Sequence, residues 1–158
     1  MEFSGIPAHP LLVHAAVVFV PLLVLAANLY AFVPKLRERV GWAAVLLGLI
    51  TPAAAFLAER SGEELRKVLV RQNYPPQILD QIAEHQEYGE RTFLFSLGLG
   101  LATLGLVFVT SAHARVRNVP SWVRFGLTVV VVVFGVLSAV FIYLTGDSGA
   151  RAVWTGVL

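Results

Sequence analysis

The stretch LLVHAAVVFVPLLVLAANLYAFV, from Leu11 to Val33, contains no Asp, Glu, Lys or Arg. Roughly 20 predominantly apolar residues in helical form cross the hydrocarbon layer of a bilayer, so this run is long enough to span one. Three more uncharged runs follow, from Val40 to Ala58, Thr92 to Ala112 and Phe125 to Thr145. The chain therefore reads as all-α, a four-helix transmembrane bundle, and as a single integral membrane domain over residues 1–158. A polar segment, 59–91, separates the second and third spans and is expected to form an extracytoplasmic helical loop.

Composition supports that reading. Hydrophobic residues make up 57% of the 158, and the mean hydropathy of +0.74 is too high for a soluble domain of this size. The 12 basic and 10 acidic residues fall almost wholly outside the apolar runs. They describe loops, not a nucleic-acid surface, and no nucleic-acid partner is expected. The absence of cysteine excludes disulfides, thiolate metal ligands, iron–sulfur clusters and thiol catalysis. The first apolar run is far longer than a signal-peptide core and no Lys or Arg precedes it, so it is expected to remain in the mature protein.

Local signals refine the helices. Pro10 suits the first turn of a helix, with His9 at the cap ahead of it. Pro21 and Pro52 lie inside spans, where each frees a carbonyl one turn earlier. Small residues recur at four-residue spacing, in Ala44 and Gly48, Gly98 and Ala102, and Gly135 and Ala139, and let helix backbones approach closely in lipid. The connections Pro34 to Arg39 and His113 to Arg124 are short, which makes helices one and two, and three and four, antiparallel neighbours. Ser61 and Glu64 stand at capping-box spacing and predict a short amphipathic helix over Gly62 to Gln72. Asn73, Tyr74, Pro75 and Pro76 interrupt it, and a second helical pattern starts near Ile78 and can run on into the third span.

Basic residues set the expected orientation. Lys35, Arg37, Arg39, Arg115, Arg117 and Arg124 crowd the two short connections, with Glu38 alone opposing them. That side is assigned to the cytoplasm, which leaves both termini and the 59–91 loop extracytoplasmic. Tyr30, Trp42 and Trp122 are expected at the basic interface, and Tyr88, Tyr143 and Trp154 at the other.

The outer ends of the helices then gather the polar residues. His9, His14, Glu59, Glu63, Glu84, His85, Glu87, Glu90, Asp147 and Ser148 are expected within reach of one another although they are far apart in sequence. His14, about one turn inside the apolar run, is expected to face the bundle, where another group satisfies its ring nitrogens. A simple structural hydrogen bond competes with a ligand role. For a divalent metal, the candidate ligands are His9, His14, His85 and Glu59, because imidazole and carboxylate suit zinc, manganese or iron. For a b-type haem, the candidates are His14, His85 and His9, with Gly89 beside His85 to admit the macrocycle. Against joint ligation, His9 and His14 are five residues apart, about 140° around a regular helix. His85 also stands about 10 Å outside the apolar boundary at Thr92.

No nucleophile elbow, P-loop, dinucleotide fingerprint or zinc-protease motif is present. Mid-depth positions hold only neutral polar groups, which disfavours an ion or proton relay. Glu84, Glu87 and Glu90 follow a one-turn period that a solvated helix face explains as well as an acidic stripe does.

The opening Ile6-Pro7-Ala8-His9-Pro10-Leu11-Leu12-Val13-His14 resembles the start of a bacterial membrane family, the domain-of-unknown-function family numbered 2231. His85 with Gly89, and Gly146-Asp147-Ser148-Gly149-Ala150 with Val153-Trp154, are similar to its other recurrent features. Many relatives follow the second His with Phe-Pro, where this chain has Ala15 and Ala16. The resemblance implies four spans and draws attention to the same histidines, and it carries no activity. The functional expectation is an inner-membrane protein whose extracytoplasmic His and carboxylate cluster binds a metal or haem, in membrane redox chemistry. The alternative is a non-catalytic scaffold or accessory subunit, bound to a membrane protein partner or to itself as a homo-oligomer within the lipid bilayer.

Overall fold

A computed structural model of the chain describes residues 2–3, 6–111 and 119–154. Two short strands, β1 (Glu2–Phe3) and β2 (Ile6–Pro7), pair antiparallel ahead of four helices. These are α1 (Ala8–Phe32), α2 (Arg37–Arg71), α3 (Pro76–Thr110) and α4 (Ser121–Trp154). A single 3₁₀ turn, Pro34–Leu36, joins α1 to α2. All four helices are long and apolar enough to cross a membrane, as the sequence implies. His113, Arg115 and Arg117 lie outside the described residues.

Helix length separates the inner and outer parts of the molecule. At 35 residues each, α2 and α3 would be about 52 Å long, well beyond a hydrocarbon layer of about 30 Å. Their adjoining ends form a hairpin that projects past the apolar stretches. The separate amphipathic helix expected over Gly62 to Gln72 is instead the continuation of α2, and α3 runs unbroken from Pro76 into its apolar part. The hairpin turns at Asn73, whose φ of 55° is left-handed. Asn73 N–H donates to the Val70 carbonyl and Tyr74 N–H to the Leu69 carbonyl. These two bonds close α2 as a Schellman motif, with Asn in the position usually held by glycine. Pro76 then opens α3 at a position where its missing N–H costs nothing.

The helices pack in the order α1, α2, α3, α4, and the seam between α1 and α4 is the thinnest. The core around Leu23, Ala27, Ala44, Leu99, Leu106 and Val131 is fully enclosed. Small residues permit the closest approach. Pro52 lacks the N–H that would bind the Gly48 carbonyl, and α3 covers that carbonyl with its glycine backbone. A Cβ on Gly100 would stand 2.5 Å from the Gly48 oxygen. Likewise a Cβ on Gly98 would stand 2.5 Å from the Phe134 ring of α4. On α4 the buried small residues are Gly135, Ser138 and Ser148, while Ala139 is exposed.

Hydroxyl pairs tie the helices together inside the apolar region. Thr51 donates to the Phe19 carbonyl of α1 at 3.3 Å, and Thr92 meets Thr145 of α4 at 2.9 Å. Tyr30 meets Thr110 of α3 at 2.7 Å. Tyr30 is thus buried, whereas Trp42 and Trp122 are exposed. Arg37 completes this end by donating to the Tyr30 and Ala31 carbonyls, which close α1.

Gly100→Val should therefore destabilise the detergent-solubilised protein by about 1–3 kcal/mol through overpacking. Gly89→Ala, where a Cβ meets nothing within 4 Å, should be neutral or slightly stabilising. Thermal unfolding followed by circular dichroism reads both.

Candidate functional site: a histidine pair at the hairpin end

His9 and His85 meet at the end of the bundle from which the hairpin projects. His9 lies in the first turn of α1, and His85 lies on α3 seven residues before its apolar stretch. Their ring centres are 6.0 Å apart with the planes inclined at 76°. Glycine makes room for each ring. A Cβ on Gly62 of α2 would stand 3.1 Å from His9 Cε1, and one on Gly149 of α4 would stand 2.9 Å from His85 Cε1.

Neighbouring serines fix the protonation pattern. Ser61 Oγ donates to the Ala58 carbonyl at 2.7 Å, which uses its only proton. His9 Nδ1 lies 3.0 Å from both that carbonyl and Ser61 Oγ, so Nδ1 must be the donor. Ser148 Oγ donates to the Thr145 carbonyl at 3.2 Å and accepts from His85 Nδ1 at 3.1 Å. Both neutral imidazoles are therefore the Nδ1–H tautomer, and both keep an Nε2 lone pair. Ser61 and Gly62, read from sequence as the start of a helix, are instead mid-helix residues that receive His9.

A cavity of about 50 Å³ adjoins the pair, with His9, Val13, Glu59, His85, Gly89 and Thr92 among its walls. Thus α1, α2 and α3 each bring a candidate residue to one place. His14 is not there. Its Nδ1 donates back to the Pro10 carbonyl, and the ring is exposed on the outer side of α1, although the sequence reading turned it inward. The 140° between positions 9 and 14 accounts for this, because a helix that turns His9 toward α2 must turn His14 away. Among the described residues, no three His, Asp or Glu side chains converge as a ready metal cage. The centre is a pair of imidazoles with one carboxylate at the cavity wall.

With the geometry in place, the comparison with known families can be stated. Residues 5–158 match the profile of the predicted membrane protein family DUF2231. The chain belongs to this family. No curated protein and no solved structure matches it. The family match spans the histidine pair, the hairpin and α4 together, so it extends well beyond the His9-Pro10 opening. In this chain Ser148 and Gly149, in the Gly-rich tail, are the partners of His85. Ser61 and Gly62 carried no sequence signal for their role, because contact with His9 arises only when α1 lies against α2.

Burial, and after it the neighbouring His9 ring, hold the His85 imidazole below the usual histidine range, against a bond to the Thr145 carbonyl. His85 lies outside the apolar stretch of α3, where pH changes can reach it. Its neutral form is favoured in the folded protein, while the unfolded ring titrates near 6.5. The stabilisation is thus full above that value and is lost as pH falls through the lower folded value. Melting temperature should drop between pH 7.5 and 5 in the wild type, and that drop should be smaller in His85→Gln.

Proposed function

We propose that this DUF2231 protein is a metal-binding membrane protein that holds one transition-metal ion between His9 and His85, on the extracytoplasmic side of a bacterial inner membrane. The observation that carries the reading is the pair of neutral imidazoles, each with Nδ1 committed and Nε2 free. Metal-bound histidines commonly donate their second nitrogen to a carbonyl or other acceptor, which sets the tautomer and raises ligand basicity. Two imidazoles bound to one ion at about 2.0–2.1 Å have ring centres about 5–6 Å apart, close to the separation between these two.

Size selects the ion over the macrocycle. A cavity of about 50 Å³ holds an ion with a water, whereas organic ligands occupy pockets of about 300 Å³ or more. A haem between these rings would require α1 and α3 to part. Imidazole suits copper, zinc, iron and nickel, and copper and iron supply the valence change that a role in membrane redox chemistry requires. With two protein nitrogens as ligands, water completes the coordination. Glu59 would accept a hydrogen bond from such a water, and His14 takes no part.

Titration of detergent-purified protein with Cu(II), Zn(II) and Ni(II), read by elemental analysis after desalting, tests the reading. One ion per chain is expected. His9→Ala and His85→Ala should abolish retention, Ser61→Ala and Ser148→Ala should weaken it about tenfold or more, and His14→Ala should leave it unchanged. Wild type that retains no ion, or His14→Ala that loses as much as His85→Ala, would overturn it. A Soret band on haem addition that disappears in His85→Ala would put a macrocycle in the ion's place.

A further inference from the structure

At the seam between α1 and α4 an amide stands in the apolar region with most of its hydrogen-bonding capacity unused. Asn28 lies five residues before the end of its apolar run at Val33, about 8 Å inside that boundary at about 1.5 Å per residue. Its Nδ2 donates to the Val24 carbonyl one turn back at 2.8 Å, and among the described residues it has no other hydrogen bond. One amide hydrogen and the lone pairs of Oδ1 are left over. The side chain is half-buried and sits in the seam, because a Cβ on Gly135 of α4 would stand 3.2 Å from Nδ2. It lies at one end of an open groove of about 340 Å³, lined also by Pro21, Val24 and Leu25 of α1 and by Ala139 and Ile142 of α4.

We propose that a second copy of the chain docks in this groove, and that the two Asn28 amides pair reciprocally across a two-fold axis along the membrane normal. Copies inserted in one membrane share one orientation, so a side-by-side symmetric pair has its axis along that normal and every residue keeps its depth. Asn28 therefore meets the level of Asn28 in the other copy. A primary amide is its own complement: Nδ2–H of each donates to Oδ1 of the other, while the second hydrogen of each stays on its own Val24 carbonyl. Pro21, Leu25, Asn28 and Phe32 fall within about 60° of one another around α1, and Leu25 and Phe32 are exposed. This ridge seats in the groove of the other copy, where the small, exposed Ala139 leaves room. The two α1 helices then pack together at the axis, and each α4 flanks the α1 of the other copy.

The amide selects the occupant. An acyl chain fills the groove but offers Oδ1 no donor, and an unpaired polar group in hydrocarbon is costly. The hydroxyls of Thr103, Thr128 and Thr145 spend their only hydrogen on the carbonyl four residues back, whereas one helix carbonyl cannot use up an amide. A second copy brings both a donor and an acceptor at the required depth, and asparagine hydrogen-bonds readily between helices in a bilayer.

The test uses the intact chain, labelled on a tag with donor or acceptor dye and reconstituted in lipid vesicles, with pairing followed by energy transfer as lipid dilutes the protein. Wild type should be dimeric. Asn28→Leu should weaken pairing about tenfold while keeping the helical circular dichroism of wild type. Wild type mixed with Asn28→Leu should pair no better than the variant alone, because a lone amide gains no partner. Since the chain has no cysteine, single cysteines give a second measurement in membranes of expressing cells. Leu25→Cys should cross-link to itself on oxidation, whereas Leu101→Cys, exposed on α3 diagonally across the bundle from α1, should not. Both cysteine variants keep Asn28, so they decide the surface even where Asn28→Leu misfolds. Monomeric wild type, a dimer indifferent to Asn28→Leu, a mixture that pairs as well as wild type, or cross-linking at position 101 in place of 25 would overturn the proposal.

Discussion

Hydrocarbon offers no hydrogen bonds, and a polar group that enters it is costly unless it finds a partner within the protein. The rest of this structure follows from that constraint. The backbone meets it by forming four long helices, and among the described residues the buried hydroxyls meet it by bonding to a carbonyl one turn back or to a neighbouring helix, except Ser138 Oγ, which is buried without a partner. Thr51 reaches Phe19, Thr92 reaches Thr145 and Tyr30 reaches Thr110, so groups that would be costly alone become ties between α1, α2, α3 and α4. Glycine serves the same end, since the carbonyl released by Pro52 is shielded because Gly100 has no side chain to hold α3 away.

The histidine pair extends this logic to the edge of the apolar region. His9 and His85 are held from behind by hydroxyls that have already spent their protons on helix carbonyls. Each ring is thereby oriented and its tautomer fixed, and lone pairs are left on the side away from the serines. A structural hydrogen bond satisfies only one nitrogen of each ring. The second nitrogen gives the pair a capacity for a Lewis acid that the bonds observed here leave unused. Beyond the pair, α2 and α3 continue into water, where charge carries little cost and can be arranged in exposed rows.

The sequence placed the helices well because the bilayer penalises charge so strongly that four uncharged runs admit few other readings. It placed the hairpin less well. Ser61 and Glu64 have the spacing of a helix start, yet the helix was already under way, and the real stop came at Asn73, where a left-handed residue closes α2. His85 was drawn into the candidate site by position along the chain, and His9 with it. His14 was turned inward on the ground that a polar group in lipid seeks the interior, but the ring can satisfy one nitrogen on its own helix at Pro10 and remain outside.

What the sequence determined by itself was everything set by composition along one dimension: the number of crossings, the helical state of the chain, its antiparallel neighbours and the family to which it belongs. What only the tertiary structure decided was which faces meet. Rotation of α1 about its own axis puts either His9 or His14 against α2, and that rotation depends on packing across Gly62, Ala58 and the core around Leu23, which residues far apart in the chain jointly determine. The same is true of Gly149, whose role as a seat for the His85 ring exists only because α4 returns to the end of the bundle where α3 begins.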